Sequence, residues 1–340
     1  MLLSDLGEFG FIDEIAKLAD PAEAGRVVVG IGDDAAVLDL GGPNLTVVTT
    51  DAMLEGRHFE LAWLSPAEVG WRAGAAALSD LAAMGARPVA VFASVGLPPS
   101  WPAERGRELM SGLAACAQSV GATLAGGDCA ANEQVVLDVV AVGTVPRGQQ
   151  LLRSGARPGQ AVAVTGALGG PAAAVALLRE RGPEGWSDER LAPLRQRFAH
   201  PEPRVKVGRR LAASGLVAAG LDISDGLIAD AGHLAERSGV AVVIEAERVP
   251  MAEGCAAAAE VLEAEPPTWA LAGGEDFELL VALQEQDLPA LLEFAAVPEV
   301  GLTVVGRVEA GEGVTVLDPT GNEMQLPSAG WDHFTAGNGQ

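Results

Sequence analysis

The sequence has no tyrosine and only two lysines, Lys17 and Lys206, among its 340 residues. Acidic residues outnumber basic ones by 46 to 22, which gives a formal net charge of −24. Because nucleic-acid binding draws on clustered lysine and arginine, this balance argues against nucleic acid as a partner. Any nucleotide chemistry in the chain must therefore be built from arginine, backbone amides and metal ions.

Cysteine is also scarce, and Cys116, Cys129 and Cys255 are widely spaced. That spacing argues against a disulfide framework and favours a reducing compartment. Apolar runs stay below the roughly 18 residues that a membrane span needs, and the first residues lack the basic region of a signal peptide. We therefore expect a cytoplasmic protein with no membrane partner.

What the sequence does contain is enough apolar material for two cores, since 49% of its residues are hydrophobic. Strand and helix patterns alternate along both halves, which predicts an α/β or α+β fold. A polar, glycine-rich segment at 147–159 predicts a boundary between domains at 1–147 and 148–340. The patterns predict strands at 26–31, 45–50, 88–97, 122–125, 135–145, 160–165, 216–223, 240–244, 277–283 and 302–308, and helices at 66–85, 102–120, 201–213, 226–237 and 251–262, with a further helix opening at Gly169-Gly170-Pro171.

Six segments share one pattern, in which an apolar run ends in small residues followed by an acid. A single aspartate in such a place is more often a turn former or an N-cap. Six of them are hard to attribute to capping, and the ends of strands are where α/β proteins bind ligands. The six segments are 30–34, 48–51, 77–80, 125–128, 221–226 and 272–276.

If these carboxylates converge, their mutual repulsion must be offset. Two like charges 4 Å apart repel by about 1 kcal/mol in water and about 4 kcal/mol at an effective dielectric constant of 20. With two lysines in the chain, divalent metal is the natural counter-charge. Aspartate, threonine and serine oxygens are hard ligands that favour Mg²⁺, and oxygen-bound Mg²⁺ usually accompanies phosphates. The pattern therefore predicts metal-assisted phosphoryl chemistry.

Two common nucleotide-binding motifs are less consistent with the sequence. Residues 30–35 match the dinucleotide fingerprint Gly-x-Gly-x-x-Ala after a strand. However, Asp33 and Asp34 would repel a pyrophosphate, and 36–40 has the pattern of a strand instead of the required helix. A P-loop is absent because neither lysine follows a glycine-rich loop. The four histidines form no Ser-His-Asp or Cys-His pattern, although His58 lies just beyond the acidic segment that ends at Asp51.

Seven motifs occur in the order seen in thiamine-monophosphate kinases, and the chain resembles that family over residues 7–334. An opening segment, Gly-Glu-Phe-Gly-Phe-Ile, is also similar to the family's. Each motif is weak alone, but the ordered set is specific. The motifs are Gly-Ile-Gly-Asp-Asp-Ala, Thr-Thr-Asp with Glu-Gly-x-His-Phe, Leu-Ser-Asp-Leu-Ala-Ala-Met-Gly-Ala, Gly-Gly-Asp, Asp-Ile-Ser-Asp-Gly-Leu, Gly-Gly-Glu-Asp-Phe-Glu-Leu-Leu and Trp-Asp-His-Phe.

The resemblance implies a fold and an activity. The fold would be the two-domain α/β fold of the aminoimidazole-ribonucleotide-synthetase superfamily, with the N-terminal sheets pairing across a homodimer. The activity would be ATP-dependent phosphorylation of thiamine monophosphate to thiamine diphosphate, the last step in making that product. A phosphate monoester is largely dianionic at neutral pH, since its second pKa is about 6, so the attacking oxygen needs no general base. We expect direct in-line transfer.

The resemblance also implies roles for individual residues. Several Mg²⁺ ions would be held by one set, ATP would be contacted by a second, and thiamine monophosphate by a third. One departure is Met110, where relatives often have tyrosine, which puts an ATP contact there in doubt. The three sets are Asp34, Thr49, Thr50, Asp51, Asp80, Asp128, Asp222 and Asp225 for metal; Gly127, Asp128, Arg153 and Ser224 for ATP; and His58, Glu275 and Trp331 for thiamine monophosphate.

Two other interpretations stay open from the sequence. One is a different ATP-using enzyme of the superfamily, such as a purine-pathway synthetase, a selenophosphate synthetase or the hydrogenase-maturation member. The other is an acidic metal-binding module without catalysis, which would bind metal but not turn over ATP.

Overall fold

A computed structural model describes residues 2–18, 25–264, 267–295 and 300–324 of the chain. Within these ranges the chain forms two mixed sheets of six strands each, with helices packed on both. The architecture is therefore the predicted mixture of α and β elements. No helix in the described ranges combines the length and the apolar character that crossing a bilayer requires.

The first sheet is formed by the N-terminal half of the chain. Its strands lie in the order β1-β2-β3-β6-β4-β5, and every neighbouring pair is antiparallel except β4 and β5. Strand β5 is thus an edge strand, and nearly all of its residues are exposed. The strands are β1 (Val27–Val29), β2 (Ala36–Leu38), β3 (Asn44–Leu54), β4 (Arg87–Leu97), β5 (Thr123–Ala131) and β6 (Val136–Pro146).

Three helices accompany this sheet: α1 (Leu3–Ala16), α2 (Pro66–Ala83) and α3 (Ala103–Ser119). Helix α2 begins at a capping box, in which Ser65 and Glu68 satisfy each other's backbone N–H groups. Alanine-rich α2 and α3 cross closely and cover the inner face of the sheet, while the outer face is left uncovered by them. Buried residues alternate with half-buried or exposed ones along β3 and β6, as expected for a sheet with one covered face.

The second sheet is formed by the C-terminal half. Its strand order is β12-β9-β11-β7-β10-β8, and only β12 and β9 are parallel. Its strands are β7 (Ala161–Thr165), β8 (Val217–Ile223), β9 (Ala241–Glu245), β10 (Glu278–Leu283), β11 (Leu302–Glu309) and β12 (Gly313–Leu317), and its helices are α4 (Gly170–Arg181), α5 (Ala192–Ala199), α6 (Val205–Ser214), α7 (Leu227–Ser238), α8 (Cys255–Leu262), α9 (Pro267–Ala272) and α10 (Leu288–Ala295).

Helix α2 connects the two halves, because it contacts strands of both sheets as well as α6. Gly208 of α6 lies against the carbonyl group of Ala82 so closely that a Cβ atom there would overlap it. The carboxyl end of α2 is therefore held between the two sheets, and Asp80 lies near that end.

Several predicted element boundaries differ from those observed. The segments ending at Asp51 and Asp128 do not end strands, because both residues lie inside longer ones, β3 and β5. The helix predicted from 201 begins at Val205, since two prolines precede it, and the one predicted from 251 begins at Cys255. Helices α1, α5, α9 and α10 and strand β12 were not predicted from the sequence pattern.

Candidate active site

Three acidic side chains meet between the two halves of the molecule. Asp34 precedes β2, Asp80 lies on α2 and Asp222 lies on β8. One carboxylate oxygen of each lies within 4.8 Å of the others. Three of the six acid-terminated segments therefore converge, which is the condition on which the expected metal chemistry depends, and they come from both sheets and a helix.

Hydroxyl groups bind two of these carboxylates. Thr49 Oγ1 donates to Asp80 Oδ2 at 2.5 Å, and Ser79 Oγ donates to Asp222 Oδ2 at 2.6 Å. Ser79 is adjacent to Asp80 on α2. This helix therefore supplies one carboxylate of the cluster and, through Ser79, binds another from the second sheet. Oxygen atoms from strand, helix and strand thus form one buried cluster.

Burial and mutual repulsion raise the proton affinity of this cluster. Burial is the largest cause of the raised pKa of Asp222, which reaches about 7, and the charge of Asp34 adds to it. The pKa of Asp80 is raised well above its usual value by burial and then by Asp222, Asp51 and Asp34. These shifts identify a place where the folded chain concentrates negative charge without enough positive charge to balance it.

Arg153 is the cation that contacts the cluster. Its Nη2 and Nε lie 2.6 and 2.9 Å from Asp34 Oδ1, and its backbone N–H faces Asp33. Burial still raises the pKa of Asp33 to about 6, with the charge of Asp34 as the second cause. Within the described part of the chain, the buried Oδ2 of Asp34 has no hydrogen-bond donor. An orphaned carboxylate oxygen beside two other carboxylates fits the coordination of a hard divalent cation.

Asp51 lies beside this cluster on β3 and faces further acids. Burial raises its pKa to about 7, followed by the charges of Glu275, Asp225, Asp138 and Glu8. Asp51 therefore links the N-terminal carboxylates to those of the second sheet.

Thr50, by contrast, points to the outer face of the first sheet. Its hydroxyl donates to Asp138 Oδ1 at 2.5 Å. Asp138 pairs across the sheet with Ser94, and Ser94 pairs with Asp128. The exposed Asp128 therefore lies in a polar row on the outer face and not in the buried cluster formed around Asp80.

Asp225 and Ser224 lie in the turn between β8 and α7. Asp230 Oδ2 accepts hydrogen bonds from the N–H groups of Ser224, Asp225 and Gly226 at 3.0–3.1 Å, which fixes the turn. Asp225, Asp230 and His233 also bring one potential ligand atom each within 4.8 Å of the others. Burial lowers the pKa of His233 to about 4, with Arg153 and Arg237 as further causes, so its ring is neutral.

Glu275 lies in a tight turn before β10. Its N–H donates to Ser224 O at 2.7 Å, so the turn packs directly on the one that carries Asp225. Gly274 permits this approach, because a Cβ atom there would lie 2.5 Å from Ser224 O. The Glu275 carboxylate binds Arg72 Nη2 at 2.6 Å. Asp276 and Glu278 point elsewhere: Asp276 accepts a hydrogen bond from the N–H of Gly169, and Glu278 binds the guanidinium groups of Arg197 and Arg204.

The remaining predicted residues are more scattered. His58 lies in the turn after β3, where its Nδ1 accepts a hydrogen bond from Leu54 N–H at 3.0 Å. Gly127 lies in β5 against β4, where a Cβ atom would overlap Ala93 O. Met110 is half-buried on α3 and packs against buried apolar side chains. Trp331 lies outside the described residues.

The sequence analysis did not identify four side chains of this region as site residues: Arg72, Ser79, Asp138 and Asp230. Helical spacing could have found the first two, because residues seven and eight apart share a helix face, and Arg72 precedes Ser79 and Asp80 by those intervals. Asp138 is a carboxylate inside an otherwise apolar strand, which is a signal in itself. Asp230 gives no signal, since an acid in the first turn of a helix is ordinary.

The whole arrangement can bind divalent cations and bring phosphate groups to them. Buried carboxylates supply the ligands, hydroxyl groups orient them, and Arg153 lies beside them. Oxygen-ligated cations and arginine are the groups with which proteins neutralise transferring phosphoryl groups.

Comparison with known proteins matches both halves of the chain to one superfamily. Residues 32–145 match the N-terminal domain of AIR synthase related proteins, and residues 157–318 match the C-terminal domain. The thiamine-monophosphate kinase of Methanopyrus kandleri is 41% identical, over 89% of this chain and 90% of its own. That of Mycobacterium tuberculosis is 36% identical, over 98% and 93%. A solved structure described as AaThiL complexed with AMPPCP and TMP superposes with a TM-score of 0.84 at 33% identity, covering 98% of this chain and 99% of that one.

Proposed function

The chain belongs to the thiamine-monophosphate kinase family, and from that premise we propose that it transfers the γ-phosphate of ATP to thiamine monophosphate, forming thiamine diphosphate and ADP. The relatives align over nearly the whole chain, and the solved relative is a complex with an ATP analogue and TMP. The buried cluster of Asp34, Asp80 and Asp222 is the single observation in this molecule that carries the proposal.

The acceptor phosphate sets the chemistry. Its second pKa is about 6, so its oxygen is already deprotonated at neutral pH and no side chain has to remove a proton. The difficulty is the approach of two anionic phosphates. The work of the protein is then to neutralise and orient them, which favours direct in-line transfer without a phosphorylated side chain.

Mg²⁺ is the cation proposed for this cluster, since its ligands are all oxygens. When bound, it would neutralise the phosphate charges during transfer. The orphaned Asp34 Oδ2 and the raised pKa of Asp222 support a cation there. We propose several Mg²⁺ ions, with Asp34, Thr49, Asp51, Asp80, Asp222 and Asp225 as ligands in or beside the cluster. Thr50 and Asp128, on the outer face of the first sheet, are proposed as ligands of an ion outside the cluster.

For the two substrates, we propose ATP contacts at Gly127, Asp128, Arg153 and Ser224. Thiamine monophosphate would be bound by His58, Glu275 and Trp331. Its thiazolium ring is cationic, so the half-exposed Glu275 carboxylate supplies the complementary charge. Since Glu275 packs on the turn that carries Ser224, the two substrate sites would adjoin.

We further propose a homodimer that works in the cytoplasm, with domains at 1–147 and 148–340. The dimer is supported by the uncovered outer face of the first sheet, where Leu54, Val89 and Phe92 are exposed. Exposed apolar residues on the open face of a sheet favour a second sheet as their partner.

An assay of ADP release tests the proposed function. Thiamine monophosphate with ATP and Mg²⁺ should release ADP, while free thiamine, which has no acceptor phosphate, should release none above background. Complete chelation should abolish turnover, and added Mg²⁺ should restore it. Turnover of free thiamine, or activity that survives chelation, would contradict the proposal. Metal binding without ADP release would favour the acidic binding module instead.

A further inference from the structure

Arg72 is a fully buried cation in the middle of α2, with 0% of its surface exposed. Arginine is among the residues least often buried, because removing its charge from water costs free energy. It lies on the same face of α2 as Ser79 and Asp80, which both take part in the carboxylate cluster. Arg72 therefore places a buried positive charge on the face of α2 that also contributes to the candidate metal site.

Among the described residues, the hydrogen bonds and the ring contact of the Arg72 guanidinium are made with the C-terminal half of the chain. Its Nη2 donates to Glu275 Oε2 at 2.6 Å, and its Nη1 donates to the carbonyl oxygen of Phe198. The guanidinium also lies over the Phe198 ring, 4.6 Å from its centroid. Its Nε, however, has no hydrogen-bond partner among the described residues. A buried cation with one unsatisfied N–H contributes little to the stability of the fold. Stability alone therefore does not explain an arginine at this position.

Glu275 provides that reason. Its backbone is in the left-handed region at φ 66°, which is unfavourable for a residue with a side chain. Its carboxylate is 30% exposed and lies near Asp51. Repulsion from Asp51 would turn a free carboxylate towards solvent, and the ion pair with Arg72 opposes this. In the described part of the chain, Glu275 Oε1 receives no hydrogen bond, so the pair leaves one oxygen for a ligand.

We propose that Arg72 is a positioning residue, which holds the Glu275 carboxylate in the orientation that binds the cationic ring of thiamine monophosphate. This inference rests on the proposed function. Arg72 itself is buried and acts on the substrate only through Glu275. Because α2 also carries Asp80, the same helix sets the distance between the carboxylate that binds the ring and the carboxylates at which the phosphates meet.

Arg72→Met tests the proposal, with Arg72→Lys as the conservative variant. Loss of the ion pair should raise the KM for thiamine monophosphate about tenfold or more and leave the KM for ATP within about twofold, because only substrate binding is lost. Lysine keeps the charge but not the fork, so Arg72→Lys should recover part of that affinity. It also serves as the test if the methionine variant does not fold.

Arg195→Met is the matched control. Arg195 Nη2 also joins α2 to the C-terminal half, through Glu68 Oε1 at 2.7 Å, but it lies away from the cluster. This variant should lower the melting temperature without changing either KM. If Arg72 were only structural, Arg72→Met would behave in the same way, and the proposal would be overturned.

A double-mutant cycle with Glu275→Gln completes the test. If Arg72 acts only through Glu275, the double variant should have a KM for thiamine monophosphate within about twofold of the worse single variant. The inference would be overturned if the increases in KM for thiamine monophosphate in the two single variants multiplied in the double variant. Equal increases in the KM values for both substrates would also overturn it. Wild-type protein that releases no ADP with thiamine monophosphate would instead overturn the proposed function, and this inference with it.

Discussion

Asp80 lies among several like charges, since Asp222, Asp51 and Asp34 all raise its pKa. In the absence of metal these charges oppose folding, and the proposed Mg²⁺ would turn them into ligands. Asp80→Asn should therefore lower kcat/KM by about 100-fold or more, since a charge proposed to hold the metal is lost. The metal-free variant should melt at the same temperature as the wild type or higher. Steady-state kinetics and thermal melts in chelator measure both.

Glu312→Gln is the control for this change, because Glu312 is exposed on the turn between β11 and β12. It removes the same charge from the chain and should alter neither quantity. Near-normal turnover of Asp80→Asn would show that Asp80 is only a polar residue on a helix and would count against the metal site.

Asp276 gives a prediction about pH. Burial raises its pKa to about 8, although the N–H of Gly169 and the charge of Arg197 oppose the rise. Between the ordinary pKa near 3.8 and about 8, the folded state binds more protons than the unfolded state, so stability falls as the pH rises. Asp276→Asn cannot titrate and keeps an acceptor for Gly169.

Urea unfolding in chelator at pH 5 and pH 8 should show this difference. The wild type should lose more free energy of unfolding between the two than Asp276→Asn, at up to about 1.4 kcal/mol per pH unit from this group. Equal losses in the two proteins would mean that Asp276 keeps its ordinary pKa in the fold.

At the scale of residues, sequence reasoning identified acids but not their partners. The sequence pattern identified Asp34, Asp80 and Asp222 as acids at the ends of apolar segments, and the fold brings one carboxylate oxygen of each together. That convergence depends on the packing of α2 against both sheets, which no single segment encodes. Helical spacing places Arg72 on the face of α2 that carries Ser79 and Asp80, but its ion pair with Glu275 was missed. Glu275 lies 203 residues further along the chain, and a contact at that separation leaves no local pattern.

Helix α2 is the element on which the site depends. Trp71 Nε1 donates to Pro201 O at 2.8 Å. Ser79 binds Asp222 on β8, and Arg72 binds Glu275 in the turn before β10. Its position is fixed on the other side by α3. There the two helices approach so closely that a Cβ atom on Gly112 would overlap Ala67 O.

Gly112→Ala should therefore destabilise the protein by about 2 kcal/mol or more, since the backbones must separate to admit a methyl group. Gly232→Ala, within α7, is the control, because its new Cβ atom would have only Val314 Cγ2 nearby, at 4.0 Å. That variant should gain about 0.5–1 kcal/mol from the better helix propensity of alanine. Chemical denaturation measures both, and equal effects would contradict the close crossing.

At the scale of elements, long regular patterns were predictable and interrupted ones were not. Helix α2 was predicted from its alanine content, its proline at the start and the glycine after it. Helix α1 was missed because Gly7, at φ 70°, interrupts it. Strand β5 was predicted to stop at a Gly-Gly-Asp turn, yet it runs through these glycines because the close pairing with β4 requires them.

The outer face of the first sheet matters at the scale of the whole molecule. In one row Thr50, Val140 and Phe92 lie side by side, and the next row contains Asp138, Ser94 and Asp128. If this face pairs with a second copy, Phe92→Glu should convert the dimer to a monomer, because a charge would be buried without a partner. Light scattering coupled to gel filtration measures the mass.

Phe294→Glu provides the comparison, since Phe294 is 58% exposed on α10, away from that sheet. It should leave the mass unchanged. A monomeric wild type, or a Phe92→Glu variant that stays dimeric, would contradict the pairing of these sheets.

The central claim is that the γ-phosphate of ATP becomes the terminal phosphate of thiamine diphosphate. The most direct measurement uses ATP with ¹⁸O in the γ-phosphate and follows the label by mass spectrometry after incubation with thiamine monophosphate and Mg²⁺. Thiamine diphosphate should form with the label in its terminal phosphate, at one equivalent for each ADP formed. Label that appears only in inorganic phosphate, with no thiamine diphosphate, would contradict it.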